Sequence, residues 1–373
     1  MSLGLVAIVV LIALAFTYIN GFHDTANSIA TVVATKVLSP GQAVLLAAIT
    51  NMIGALWGTA VAATIAAGIV NTGVIEAGPQ LLICALLAAI VWNLLTWWLG
   101  LPSSSSHALV GALVGAAISA SGGRLEAVIW AQGAHWWAGK GVIPKVVVPM
   151  VVSPLLGFAL GFLLMGSLYA LLAWFASRKG VLRYLGRTPF VNSFFGKAQI
   201  VSASAMGLAH GMNDAQKSMG IIALALASAT AAGQFDGLPT WLSFLRIHES
   251  TAGGFAVPSW VAVVCALTMA GGTAGGGWRI IKTLGHKMVK LHPINGFAAE
   301  GSSALVILGA SMFGLPVSTT HVVSSSIMGV GAAKRFNAIR WSVVERMVWA
   351  WILTLPVTAM LAYGFVWIAQ HWF

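Results

Sequence analysis

The chain has 373 residues, of which 59% are hydrophobic and only 7% charged, with a mean hydropathy of +0.92. A soluble domain of this length would carry several times as much charge. The net charge of +11 and the pI of about 10.1 would suit nucleic acid in a soluble protein, but in a chain this apolar the placement of the basic residues decides their meaning.

Crossing about 30 Å of hydrocarbon takes roughly 20 apolar residues, and apolar runs occur at 3–19, 42–70, 80–99, 146–175, 258–274 and 347–370. The sequence therefore predicts an all-α polytopic membrane protein. The first run lacks a basic leader and continues straight into "NGFHDTANSIA", so it reads as a retained span. The run at 80–99 ends in "GLPSSSSH" and a further apolar stretch. Residues 124–140, with Arg124, Glu126, His135 and Lys140, are expected along the outer surface, and Trp97, Trp98, Trp136 and Trp137 fit an interfacial belt. The crossing at 143–175 is long and holds Pro144, Pro149 and Pro154. Gly271, Gly272, Gly275, Gly276 and Gly277 resemble a phosphate loop only superficially, because no GK[ST] follows and no strand precedes them; close helix packing or a bend is expected there. Cys84 and Cys265 sit in apolar runs and read as small buried hydrophobes, with no disulfide implied.

The basic residues cluster at Arg178, Lys179, Arg183, Arg187 and Lys197, at Arg279, Lys282, Lys287 and Lys290, and at Lys334, Arg335, Arg340 and Arg346. Placing these clusters and Lys36 in the cytoplasm puts both termini outside, with 176–197 as a basic cytoplasmic linker. The chain then returns outside near Glu76, makes an excursion over 80–120 and enters over 143–175. After the linker the same order of segments recurs upside down: 198–232, 258–278, an excursion over 298–331, and 341–371. The positive-inside rule accounts for the basic charge, and no nucleic-acid partner is expected.

Internal similarity supports that inversion. "GFHDTANSIA" aligns with "GMNDAQKSMG", pairing Gly21 with Gly211, His23 with Asn213, Asp24 with Asp214, Asn27 with Lys217 and Ser28 with Ser218. "GLPSSSSH" aligns with "GLPVSTTH", pairing Pro102 with Pro316, Ser104, Ser105 and Ser106 with Ser318, Thr319 and Thr320, and His107 with His321. Residues 1–175 and 198–373 thus read as two inverted-topology repeats with broken helices and two re-entrant or hairpin segments, an arrangement that secondary transporters use to build a site near the bilayer midplane.

The chemistry of the two motifs differs. An ionised Asp within a span costs several kcal/mol unless it has a partner or faces a cavity. Of three Asp residues in the chain, Asp24 and Asp214 hold equivalent repeat positions and Asp236 does not. With Asn27, Ser28, Gln216, Ser218 and Lys217 nearby, they read as a coupling-ion or proton site; Lys217 either pairs with Asp214 or faces an anion. At the second motif a Leu-Pro step interrupts the helix and a Ser/Thr run opens a new one. Such half-helix N-termini present N–H groups, hydroxyls and the positive dipole end to an oxyanion, so Ser104, Ser105, Ser106, Ser318, Thr319 and Thr320, with Asp24 and Asp214, are the candidate substrate ligands. Simple N-capping would select the same residue types. His107 and His321 are expected to bond a backbone carbonyl ahead of carrying protons.

Through "GFHDTAN", "WNLLTWWLGLPSSSSH", "GLAHGMNDAQK" and "GLPVSTTHVVSSS" the chain resembles the inorganic phosphate transporter (PiT) family, bacterial low-affinity type, over nearly its full length. It departs from many bacterial members in lacking a long hydrophilic insertion after the second Asp motif, where only 233–257 separate the spans. The resemblance implies uptake of inorganic phosphate across the cytoplasmic (inner) membrane, free or as a neutral divalent metal-phosphate complex. It also implies coupling to H⁺ ahead of Na⁺, a homodimer, and a transport part that rocks against a scaffold, with lipid as the surrounding partner and no resident metal or other cofactor.

Residue chemistry favours phosphate, whose P–OH would donate to a carboxylate that repels sulfate, but a sulfate carrier of the same family stays open. An anion channel is the reading from another class. An enzyme is not expected, because no nucleophile, base and orienting acid stand in a recognisable order.

Overall fold

The computed structural model describes residues 3–75, 78–135, 138–247, 249–250 and 254–372; Glu76, Trp136 and Trp137 of the sequence reading lie outside these. The first helix, α1 (Leu3–Ala34), does not end where its apolar run ends. Asn20, His23, Asp24, Asn27 and Thr31 recur at intervals of three and four, so they share one helix face, and all five are buried. His23, Asp24, Asn27 and Thr31 have partners on other helices, the Asn20 amide makes no hydrogen bond among the described residues, and the backbone continues helically through all five.

Behind it come α2 (Pro40–Ala55) and α3 (Ala60–Ala67), which meet at 70°. Ser39 and Gln42 start α2 with a reciprocal capping box. The helices α4 (Pro79–Leu99) and α5 (Ser105–Ala120) form a tight hairpin. Gly100 makes the turn possible by taking a left-handed φ of 65°, and its N–H and that of Leu101 close the end of α4 on Trp97 and Thr96 carbonyls. A small hairpin, β1 (Gln132–His135) with β2 (Ala138–Lys140), precedes a π-helical turn at 143–147 and α6 (Val148–Ala176). The expected linker is only partly one: it holds α7 (Val181–Leu185), and α8 (Thr188–Ala231), 44 residues long, already begins inside it.

From α8 the helices recur in the order of α1 to α6, a long helix, a bent pair, a hairpin and a last long helix, while the strand pair takes a different place. A short strand pair, β3 (Glu249–Ser250) and β4 (Gly254–Phe255), leads to α9 (Ser259–Gly275) and α10 (Trp278–Lys282), and the helical path bends by 58° between them. The bend falls at Gly276, whose φ is 67°, within the glycine run that the sequence marked. Next stand α11 (Pro293–Met312) and α12 (Thr319–Lys334), joined through Gly314 at φ 63° as α4 and α5 are through Gly100. The last helix is α13 (Trp341–Trp372).

Among the described residues four helices are long and apolar enough to cross a membrane: Leu3–Ala34, Pro79–Leu99, Ile143–Ala176 and Trp341–Trp372. Each bent pair, α2 with α3 and α9 with α10, adds a further candidate span. Packing runs between the halves: α6 lies along α12, α13 along α5, α1 against α9 and α8 against α2. Glycines set these approaches. A Cβ on Gly115 of α5 would strike the Ala359 carbonyl of α13, and one on its counterpart Gly329 of α12 would strike the Phe158 carbonyl of α6. Small residues at crossings are how helices associate where burial from water offers no drive. Cys84 and Cys265 are buried and free, as expected.

Candidate functional site

The two Asp-bearing helices and the two hairpins converge on one buried cluster. Ser104 and Ser318 are the N-caps of α5 and α12, each hydroxyl accepting the N–H three residues on, from His107 and His321, at 3.2 Å. This refines the sequence reading: these two hydroxyls cap their own helices, while the next two residues of each run face the Asp motifs.

Ser105 Oγ donates to Asp24 Oδ2 at 2.6 Å, and Thr319 Oγ1 donates to Asp214 Oδ2 at 3.3 Å. Asn27 Nδ2 donates to Thr319 and Thr320 hydroxyls at 3.2 and 3.0 Å, while Lys217 Nζ donates to Ser106 Oγ. The residues that align between the two motif sets therefore make matching contacts: Ser105 serves Asp24 as Thr319 serves Asp214, and Asn27 reaches Thr320 as Lys217 reaches Ser106. The clasp is reciprocal, since Asn27 reaches the second half's hairpin and Lys217 the first half's.

The electrostatics are concentrated. Asp24, Asp214 and Lys217 are 2%, 0% and 0% exposed, so none is solvated and each needs a partner within the protein. Lys217 Nζ also contacts Asp214 Oδ1, three residues back on the same helix face. His23 Nδ1 lies 2.7 Å from Asp24 Oδ1, a hydrogen bond between neighbouring residues of α1. His23 Nε2 in turn lies 3.1 Å from Thr96 Oγ1, tying α1 to the end of α4. His210 Nε2 stands 3.1 Å from Asp214 Oδ2 but is not aligned for a hydrogen bond, and its Nδ1 meets Asn51 Oδ1 at 3.2 Å. Oxygen and nitrogen atoms of Asp24, His210 and Asp214 lie within 4.8 Å of one another, so the two carboxylates of the separate motifs share one site that a cation would bridge.

Other expectations fare differently. Ser28 and Ser218 are buried one turn beyond the Asp residues, and their hydroxyls make no hydrogen bond among the described residues, so the structure does not join them to the cluster. Gln216 turns away and accepts the N–H groups of Val61 and Ala62 at the start of α3. His107 and His321 do not bond backbone carbonyls. Their rings meet edge to face with centroids 4.8 Å apart, and His321 also stacks on Trp351 at 4.1 Å. The two hairpins thus touch through an aromatic contact, which the sequence did not disclose.

One buried acid escaped the sequence reading. Glu300 of α11 is buried and accepts from Thr31 on α1 and from Gln199 and Ser202 on α8, the latter two at 3.1 and 2.5 Å. The rule applied to Asp24, that an acid in an apolar run needs partners, would have marked it.

Comparison with known proteins accords with this geometry. Residues 20–362 match the model described as Phosphate transporter family. A probable low-affinity inorganic phosphate transporter of Bacillus subtilis is 43% identical over 357 residues, covering 96% of this chain and 95% of that one. One of Rhizobium meliloti is 42% identical over 361 residues, covering 96% and 93%, and one of Mycobacterium bovis is 45% identical over 371 residues, covering 98% and 78%. Among solved structures, a sodium-dependent phosphate transporter superposes with a TM-score of 0.79 at 23% identity, each chain fully covered, which shows a shared fold. With the family match running across both motif sets, this multi-pass membrane protein belongs to the phosphate transporter family.

Proposed function

We propose that this chain carries inorganic phosphate across the cytoplasmic membrane by proton-coupled symport. The observation that carries the reading is the meeting of two capped half-helices, α5 and α12, at one buried cluster holding Asp24, Asp214, Asn27 and Lys217. First-turn N–H groups without intrahelical acceptors, four hydroxyls and an ammonium suit an oxyanion. Ser105, Ser106, Thr319 and Thr320 are its ligands. The Asp24 and Asp214 carboxylates accept the P–OH proton that phosphate keeps and sulfate lacks, so a site with both in place prefers phosphate.

The proposal extends to organisation. Residues 1–175 and 198–373 are inverted repeats with both termini outside and the basic stretch 176–197 inside; the matched contacts at the site support this pairing. Two chains assemble as a dimer, and alternating access exposes the cluster to one side and then the other. Sodium coupling is the second reading, favoured by the structural relative's being a sodium-dependent phosphate transporter and by the close approach of Asp24, His210 and Asp214.

Labelled phosphate uptake into proteoliposomes tests these together, under a pH gradient, then a Na⁺ gradient, with and without Mg²⁺, and with excess sulfate as competitor. Uptake driven by the pH gradient and indifferent to sulfate is expected. A requirement for Mg²⁺ would make a metal-phosphate complex the cargo. Uptake driven by Na⁺ alone would transfer the coupling to the second reading, and uptake abolished by sulfate would remove the selectivity argument.

A further inference from the structure

The two halves make matching contacts at the site but differ in charge, and the difference falls on one residue. Asn27 and Lys217 align, and each reaches the hairpin of the other half, Asn27 to Thr320 and Lys217 to Ser106. Beside Asn27 the carboxylate is Asp24, held by Ser105 and His23; beside Lys217 it is Asp214, held by Thr319 and by the ammonium itself. In the second half a positive charge thus lies among a carboxylate and a hydroxyl contributed by separate elements, α8 and α5. That is the donor set a hard monovalent cation would take.

We infer that Lys217 is a tethered cation: its ammonium fills, in the second half, the position of a free coupling cation, and so fixes the number of cations carried with each substrate at one fewer than the matched site geometry would otherwise require. The inference deepens the transport reading and rests on it. A neutral residue at 217 leaves Asp214 buried without its counter-charge, a state relieved by a cation from solution or by a proton on Asp214 or on His210, 3.1 Å away. Asn at this position would repeat the first half's residue, whose amide nitrogen donates to the facing Thr319 and Thr320 hydroxyls, and would remove the positive charge beside Asp214 and Ser106. Arg would keep the charge and hence the original cation count.

The test uses the full-length protein purified in detergent, with Na⁺ as the probe and choline as the inert replacement. Apparent melting temperature is followed against NaCl for wild type, Lys217→Asn and Lys217→Arg. The expected result is a saturable stabilisation by Na⁺ in Lys217→Asn that exceeds any response of wild type and of Lys217→Arg, both of which keep only the first half's Asn27 arrangement. In proteoliposomes the Asn variant is expected to take up phosphate about 100-fold more slowly in Na⁺-free medium than in Na⁺, from the cost of an uncompensated buried charge. A Na⁺ response in Lys217→Asn no greater than in wild type overturns the inference, with or without transport. Should the Asn variant fail to fold, Lys217→Gln, whose longer amide also offers an oxygen, takes its place under the same criterion. Because the melting assay contains no phosphate, its outcome stands apart from that of the uptake assay: wild type that carries no phosphate would remove the substrate reading and leave the cation result intact.

Discussion

Removing the Glu300 carboxylate should separate hydrogen bonding from charge as the reason an acid is buried in α11. The side chain, 2% exposed, accepts from Thr31, Gln199 and Ser202 and so joins α1, α8 and α11. In Glu300→Ala, Ser202 falls back on the Gln199 carbonyl at 3.1 Å, but the Thr31 hydroxyl and the Gln199 amide lose their acceptor. At about 1–3 kcal/mol for each stranded donor, the variant should lose about 2–6 kcal/mol. In Glu300→Gln, the amide oxygen keeps Thr31 and Gln199, and the amide nitrogen donates to Ser202, whose proton turns to the Gln199 carbonyl. Every partner is retained, and the loss should stay below about 1.5 kcal/mol. Apparent melting temperatures of the two variants in the same detergent, with phosphate uptake as a companion measurement, make the comparison. A Gln variant as destabilised as the Ala variant would refute the reasoning, since it would mean that the pocket requires a negative charge and not three acceptor contacts.

Two further outcomes follow from contacts at the site and in the packing. Ser105→Ala removes the hydroxyl of α5 that donates to Asp24, leaving one buried carboxylate oxygen short of a partner; stability should fall by about 1–3 kcal/mol, and half-saturating phosphate in the uptake assay should rise by about 5- to 150-fold. An unchanged concentration dependence would detach Ser105 from the substrate site. Gly115→Ala drives a methyl into the Ala359 backbone, whose carbonyl carbon would lie 2.6 Å away, so α5 and α13 must separate at a cost of about 1–3 kcal/mol. The same substitution at Gly166, which meets nothing within 4 Å, should leave the melting temperature unchanged and serves as its control.

How much of this was legible in the sequence depended on how local the cause was. The hairpins at Gly100 and Gly314 were readable because a glycine, a Leu-Pro step and a Ser/Thr cap are encoded within a few residues. The convergence of Asp24 and Asp214 was readable through internal similarity, although they stand 190 positions apart. The continuity of α1 through its polar stretch was not, because what permits it is the set of partners on other helices: Thr96, Ser105, Thr319, Thr320 and Glu300. The bend between α2 and α3 lay hidden inside an apolar run at 42–70 that hydropathy reads as uniform. For Lys217 the spacing offered an ion pair with Asp214 as one of two readings, beside facing an anion, and did not show its reach to Ser106, which depends on where the opposite hairpin comes to rest.

The crossed packing of the long helices has a mechanical consequence. Each half's final helix is laid along the other half's hairpin, α6 along α12 and α13 along α5, with glycine crossings at Gly329 and Gly115 that leave no room for slip. Any displacement of the α4–α5 hairpin must therefore carry α13 with it, and any displacement of α11–α12 must carry α6. The helix packing of this molecule cuts across its linear order: a chain severed near residue 180 would part α5 from α13 and α6 from α12, so that neither packed pair would stay within one fragment.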